Sequence, residues 1–200
     1  MTISIGNNTF MRSVILGAAV LIVWLCLDGV AAASITHPAA TRTMSHRAGS
    51  VLSAINGPIA GCVFLTSNGH YLTAVGAGGR TTDVIHSDAT RIGSWEKFTL
   101  IDSGDGSPNI HYGLQTFHGF YLTAVGGGGR ITDVIHSDAT QLRAWEKFSL
   151  DSLGNGVYAI ETINGHFLTA VGGGGRVTDT IHSDATQVRA WEKFRVTCGH

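Results

Sequence analysis

No catalytic signature runs through this chain, which contains no G-x-S-x-G elbow, no H-E-x-x-H pair and no C-x-x-C motif. Basic charge is also scarce. Lys97, Lys147 and Lys193 are its only lysines, and the formal net charge is −1, so no broad basic field exists to hold a phosphate backbone and nucleic acid is excluded as a partner. Helical patterning is missing as well, because glycine interrupts every stretch of the repeated region that begins an apolar stripe at three-four spacing. Long apolar runs are limited to VILGAAVLIVWLCL at residues 14–27, which Asp28 ends short of the ~20 residues that span a bilayer. Arg12 precedes this run and Ala31-Ala32-Ala33 follows it, a small-residue cleavage site. Residues 1–33 therefore read as a secretory signal peptide, predicting a secreted or extracytoplasmic protein with no membrane attachment after cleavage. Residues 34–58, small and polar with little periodicity, read as a linker or N-terminal extension.

What the chain does contain is one segment three times. YLTAVGAGGRTTDVIHSDATRIGSWEKFTL begins at Tyr71, YLTAVGGGGRITDVIHSDATQLRAWEKFSL at Tyr121 and FLTAVGGGGRVTDTIHSDATQVRAWEKFRV at Phe167, at offsets of 50 and 46 residues. Each unit must bury its apolar face against its siblings, so the architecture is built in threes. Asn68-Gly69, His118-Gly119 and Asn164-Gly165 mark one turn per unit, the glycine runs at residues 76–79, 126–129 and 172–175 a second, and Ser87-Asp88-Ala89-Thr90 with its copies a third. These breaks predict an all-β domain over residues 59–200, with four short strands in each of three units, about 59–104, 105–154 and 155–200. A propeller shares the four-stranded unit but needs about four or more blades to close. Leu72 with Ala74 and Phe98 with Leu100 share strand faces and are expected in the core with their copies. Trp95, Trp145 and Trp191 fall at the opposite parity to the following phenylalanine, so unless a bulge intervenes they belong to the preceding turn and are expected to close the bottom of that core rather than stand exposed.

The succession of asparagine-glycine, Tyr-Leu-Thr-Ala, a glycine run and Trp-Glu-Lys-Phe resembles the repeats of the fascin-like, or actin-crosslinking, β-trefoils over about residues 61–198. That resemblance implies a β-trefoil, six strands forming a barrel and three hairpins capping one end. It also implies a non-catalytic binding module, with relatives that bundle actin filaments through basic patches and others that bind sugars. In such a fold the first and last strands are neighbours, which would bring Cys62 and Cys198 within disulfide reach; two unpaired thiols are the alternative.

Between units the apolar positions drift within type, as at Ile92, Leu142 and Val188, whereas the polar ones hardly change. Two readings stand for the invariant set: side chains closing turns, or three equivalent binding sites. The candidate ligand-binding residues are Arg80, His86 and Asp88, repeated as Arg130, His136 and Asp138 and as Arg176, His182 and Asp184. The glycine-arginine run can be read as an anion cradle, but no Walker lysine follows it and a flexible hairpin connection is the simpler expectation. The D-x-x-H-x-D spacing offers too few converging ligands for a metal, none is expected, and Asp88 reads as an Asx-type turn closure. No cofactor is implied. Three identical constellations suit multivalent binding to a repetitive ligand better than catalysis, which uses an asymmetric site. A repetitive glycan is the expected partner, with an actin filament as one alternative and an enzyme or accessory domain acting on glycans as another.

Overall fold

The computed structural model describes residues 57–200. The expected signal peptide and most of the expected linker lie outside the described residues. Twelve strands follow in order: β1 (Ile59–Leu65), β2 (Tyr71–Ala74), β3 (Ile85–Ala89), β4 (Phe98–Asp102), β5 (His111–Gln115), β6 (Tyr121–Ala124), β7 (Ile135–Ala139), β8 (Lys147–Gly154), β9 (Val157–Thr162), β10 (Phe167–Ala170), β11 (Ile181–Ala185) and β12 (Phe194–Thr197). Six of them close a ring of antiparallel ladders, β1–β4–β5–β8–β9–β12 and back to β1. The other six form the hairpins β2–β3, β6–β7 and β10–β11, one per unit. The domain is a β-trefoil, and ring closure leaves the barrel no free edge.

The alternation of the strands carries the core. Phe64, Phe98, Phe148 and Phe194 are fully buried, Leu72, Leu122 and Leu168 nearly so, and the Phe64 and Phe98 rings meet edge-on at 5.6 Å. Burying each such side chain contributes about 1.5–3 kcal/mol. At the barrel seam Val63 pairs with Thr197, and one step along, Cys62 and Cys198 are joined by a disulfide. It closes a sequence separation of 136 residues, for which loop entropy gives an upper estimate of about 5 kcal/mol of stabilisation.

Two expectations are corrected here. The third break in each unit comes after Ala89, not at Ser87, because residues 87–89 belong to β3. The ladder between β2 and β3 slips between Tyr71↔Ala89 and Thr73↔His86, so the strand bulges at Ser87-Asp88, and the same slip recurs in the other two hairpins. The bulge turns fully buried Ser87 toward another unit: its N–H donates to the Arg176 carbonyl (2.8 Å), its carbonyl accepts from Gly175 N (2.6 Å) and its Oγ accepts from Arg176 N (3.3 Å). Ser137 holds Gly79-Arg80 in the same way and Ser183 holds Gly129-Arg130, so the clamp runs around the molecule from each unit to the next.

The glycine runs do connect the second and third strands of each unit, yet they are held in place rather than flexible. Each makes a 3-10 turn with positive φ, and in the second and third units its carbonyls accept from the asparagine turn of the neighbouring unit, as in Asn164 N to Gly127 O at 3.3 Å and Asn164 Nδ2 to Gly126 O at 3.0 Å. A Cβ on Gly127 would stand 2.6 Å from Asn164 Nδ2. Ala77 occupies the equivalent position at φ +64°, and the turn facing it carries His118 where the other units have asparagine. Gly127→Ala is therefore expected to lose about 1–3 kcal/mol of stability, and adding Asn164→His should return part of it as a favourable coupling of about 1 kcal/mol. Denaturant unfolding of the two single variants and the double variant measures this, and strictly additive losses would refute the pairing of Ala77 with His118.

Candidate functional site

The invariant polar residues divide into three groups once placed. Glu96, Glu146 and Glu192 are buried. Glu146 accepts from Thr123 Oγ1 (2.8 Å) and from Arg143 N (2.9 Å), fastening the loop before β8 to β6, and the other two units repeat this. Together with the clamping serines these residues are structural.

Arg80 and His86 form the second group, drawn together by a residue outside the expected set. Asp83 offers Oδ1 to His86 Nε2 at 2.6 Å and Oδ2 to Arg80 Nη2 at 3.3 Å, while Arg80 Nε donates to the carbonyls of Thr82 and Asp83. Arg130–Asp133–His136 and Arg176–Asp179–His182 repeat the arrangement. Asp83, Asp133 and Asp179 each hold φ near +50°, a strained conformation for a residue with a side chain. The invariance of Asp83 across the three copies was its signal in the sequence.

Asp88, Asp138 and Asp184 make the third group and do not join the first two. They are exposed on the outer side of the bulge, and among the described residues their carboxylates have no hydrogen-bond partner, which corrects the Asx-turn expectation. Asp138 instead lines a recess of about 320 Å³ with Thr140, Gln141, Arg143 and Glu146. Arg143 donates from Nε and Nη2 to Gln141 Oε1, which fixes both side chains. The third unit has the same residues at Asp184, Thr186, Gln187, Arg189 and Glu192, whereas the first has Arg91 for the glutamine and Gly93 for the arginine.

The tryptophans overturn the core expectation. Trp95, Trp145 and Trp191 are 46%, 50% and 48% exposed. The segment is a turn as expected, a 3-10 turn at Ala144–Glu146, but the turn does not close the core with its indole. The buried glutamate takes the inward position, and the residue before it faces out. Each unit thus presents an exposed indole seven residues along the chain from its unpaired aspartate.

One charged cluster has no copies. Asp105 accepts from His111 Nδ1 (2.8 Å), Lys147 Nζ (3.0 Å) and Ser107 N (3.1 Å), and His111, then Lys147, hold its carboxyl well below its ordinary value of 3.8. On the nearby ladder of β8 and β9, burial pushes Asp151 and Glu161 up, the Asp151 charge adding to the shift of Glu161. A depressed carboxyl contributes stability above its unfolded value and loses it as pH falls below that value. Asp105→Asn should therefore unfold more easily than the parent at neutral pH, with the gap narrowing as pH is lowered from about 4 toward 2. A gap independent of pH in thermal melts would mean that the bonds, not the charge, matter.

No protein-family model matches the sequence, and no curated protein matches it. Solved structures do. The designed three-fold symmetric protein ThreeFoil is 16% identical with a TM-score of 0.56, the match covering 70% of this chain and 98% of that one. Rhizoctonia solani agglutinin is 17% identical with a TM-score of 0.56, over 70% of this chain and 96% of its own. SeviL, whose structure holds asialo-GM1 saccharide, is 13% identical with a TM-score of 0.52, over 71% and 99% of the two chains. At such identities what is shared is the fold, a three-unit β-trefoil.

Proposed function

We propose that this protein is an exported, non-catalytic glycan-binding module that engages a repetitive saccharide through three lateral sites. The observation that carries the reading is an indole about half exposed in every unit, seven residues along the chain from an exposed carboxylate with no partner among the described residues. An exposed indole presents a flat apolar face with a polar edge, which suits the C–H face of a pyranose. A free carboxylate accepts strong hydrogen bonds from sugar hydroxyls. Trp145 with Asp138 and Trp191 with Asp184 form matching sites, and Trp95 with Asp88 a variant one, since Gly93 stands where the other units have an arginine. The saccharide held by SeviL on the same fold supports the ligand class. The Cys62–Cys198 disulfide supports export, because such bonds persist in oxidising compartments.

Three weak sites on one rigid body gain strength on a polymer through effective concentration. Arrayed glycans therefore test the reading. Trp145→Ala and Trp191→Ala should each weaken binding to an arrayed polysaccharide by about tenfold or more while barely moving the melting temperature, and Trp95→Ala should cost less. Asp138→Ala should act as Trp145→Ala does. If the protein ignores all glycans and instead pellets with filamentous actin, the glycan reading fails and the filament reading replaces it.

A further inference from the structure

The lateral sites leave one large recess unused. Where the three hairpins meet, residues 81–85, 131–135 and 177–181 enclose an open cup of about 610 Å³ on the pseudo-threefold axis. Its floor is the ring of Ile85, Ile135 and Ile181, each 7% exposed, whose other side borders the apolar interior of the barrel. Thr82, Thr132 and Thr178 line its wall, and Asp83, Asp133 and Asp179 line it with them. Both remaining positions differ between units in chemical class: Thr81 is polar, whereas Ile131 and Val177 are apolar and 56% and 49% exposed, and buried Thr180 stands where the other units have Val84 and Val134.

We propose that this cup is a fourth ligand subsite, distinct from the lateral three, that takes a single neutral polyhydroxylated ring, a saccharide residue. The charges decide for a neutral ligand. Every aspartate at the cup is paired with the arginine of its own unit, so each carboxylate of the wall is balanced by a guanidinium bonded to it and a charged ligand meets no unpaired aspartate. Each carboxylate is nevertheless held in one orientation by bonds to both oxygens, and with side chains 51–52% exposed it retains acceptor capacity for a ligand hydroxyl. Arg80 and His86, with their copies, are then positioning residues: they act on the ligand through Asp83, Asp133 and Asp179. Strain repeated at φ near +50° in all three aspartates marks a geometry that the surrounding bonds enforce. Isoleucine and valine supply the apolar surface that the C–H face of a pyranose needs, and the volume lies within the range of about 300–1,000 Å³ usual for small-molecule sites. Because the cup lies on the axis, it occurs once per chain, and its unequal lip of Thr81, Ile131 and Val177 gives the ligand one preferred rotation out of three.

The proposal deepens the glycan reading and rests on it for the ligand class, so the test separates the two. Methyl-labelled full chain is titrated with free galactose, glucose, mannose and N-acetylglucosamine while methyl and indole resonances are followed by NMR. At least one of these sugars should shift the methyls of Ile131, Val177 and the cup threonines together, saturating at one ligand per chain, with the indoles of Trp95, Trp145 and Trp191 responding as a separate set. Ile131→Trp, a substitution at an exposed position, should lower the affinity at the cup by about tenfold or more and leave the indole shifts in place; Val177→Trp should do the same from the other side. Cup methyls that stay still with all four sugars overturn the subsite even if the indoles move. Cup shifts that persist in both tryptophan variants, or that appear with tetramethylammonium chloride or sodium sulfate but with no sugar, overturn it as well. Indoles that stay silent while the cup saturates would refute the lateral sites and leave the subsite standing.

Discussion

The clamp between the bulged serine of one unit and the glycine-arginine segment of another is the constraint on which the rest depends. Ser87, Ser137 and Ser183 are fully buried, and each gives its N–H, carbonyl and hydroxyl to a neighbouring unit rather than to its own hairpin. Such bonds contribute about 1 kcal/mol each when made and cost more if a buried partner is left alone, so a single unit cannot satisfy its own backbone. The closed cycle explains why the hairpins bulge at the same place three times. It also positions Arg80, Arg130 and Arg176, since the residue whose backbone is clamped is the one whose side chain reaches Asp83, Asp133 or Asp179.

From that constraint follows the division of the invariant polar residues. Serine and glutamate point inward and are consumed by structure; the arginine, aspartate and histidine triads brace one another at the surface; Asp88, Asp138 and Asp184 are left free. Identity across three copies therefore has several causes within one segment. The buried glutamate has a second effect, because it claims the inward position of its turn and directs the adjacent tryptophan to solvent, creating an aromatic surface that burial of the indole would have removed.

The departures from symmetry are as informative as the repeats. Ala77 stands where glycine stands in the other units, and His118 faces it where they have asparagine, so one backbone contact is kept by a paired change. Gly93 stands where the other two units have an arginine, and Thr81 and Thr180 each set one side of the axial cup apart from the other two. Asp105, His111 and Lys147 form their cluster at a single junction, where the connection between the first and second units has its own length and composition. The fold tolerates these changes because each lies on the surface or compensates within its own contact.

Much of the architecture was legible in the sequence. Three copies of a Tyr/Phe-Leu-Thr-Ala segment, a glycine run and WEKF identify four strands per unit, because apolar alternation and turn residues act locally, and the resemblance to fascin-like repeats implied the trefoil closure. The asparagine-glycine turns and the phenylalanine core were readable for the same reason. Tertiary structure alone decided the rest. Ser87 looked like the start of a turn because its partners lie about ninety residues away in Arg176 and Gly175. Trp95 looked buried because a turn at the foot of the barrel was expected to close the core with its largest apolar side chain, whereas the direction of that turn is set by Glu96 reaching Thr73 on another strand. Asp88 looked bonded because a bulge, invisible to local pattern, turns it outward. The sequence by itself determined which surfaces must be buried and how often; which polar atoms are spent on holding the units together, and which remain free to meet a ligand, depends on contacts that exist only once the ring is closed.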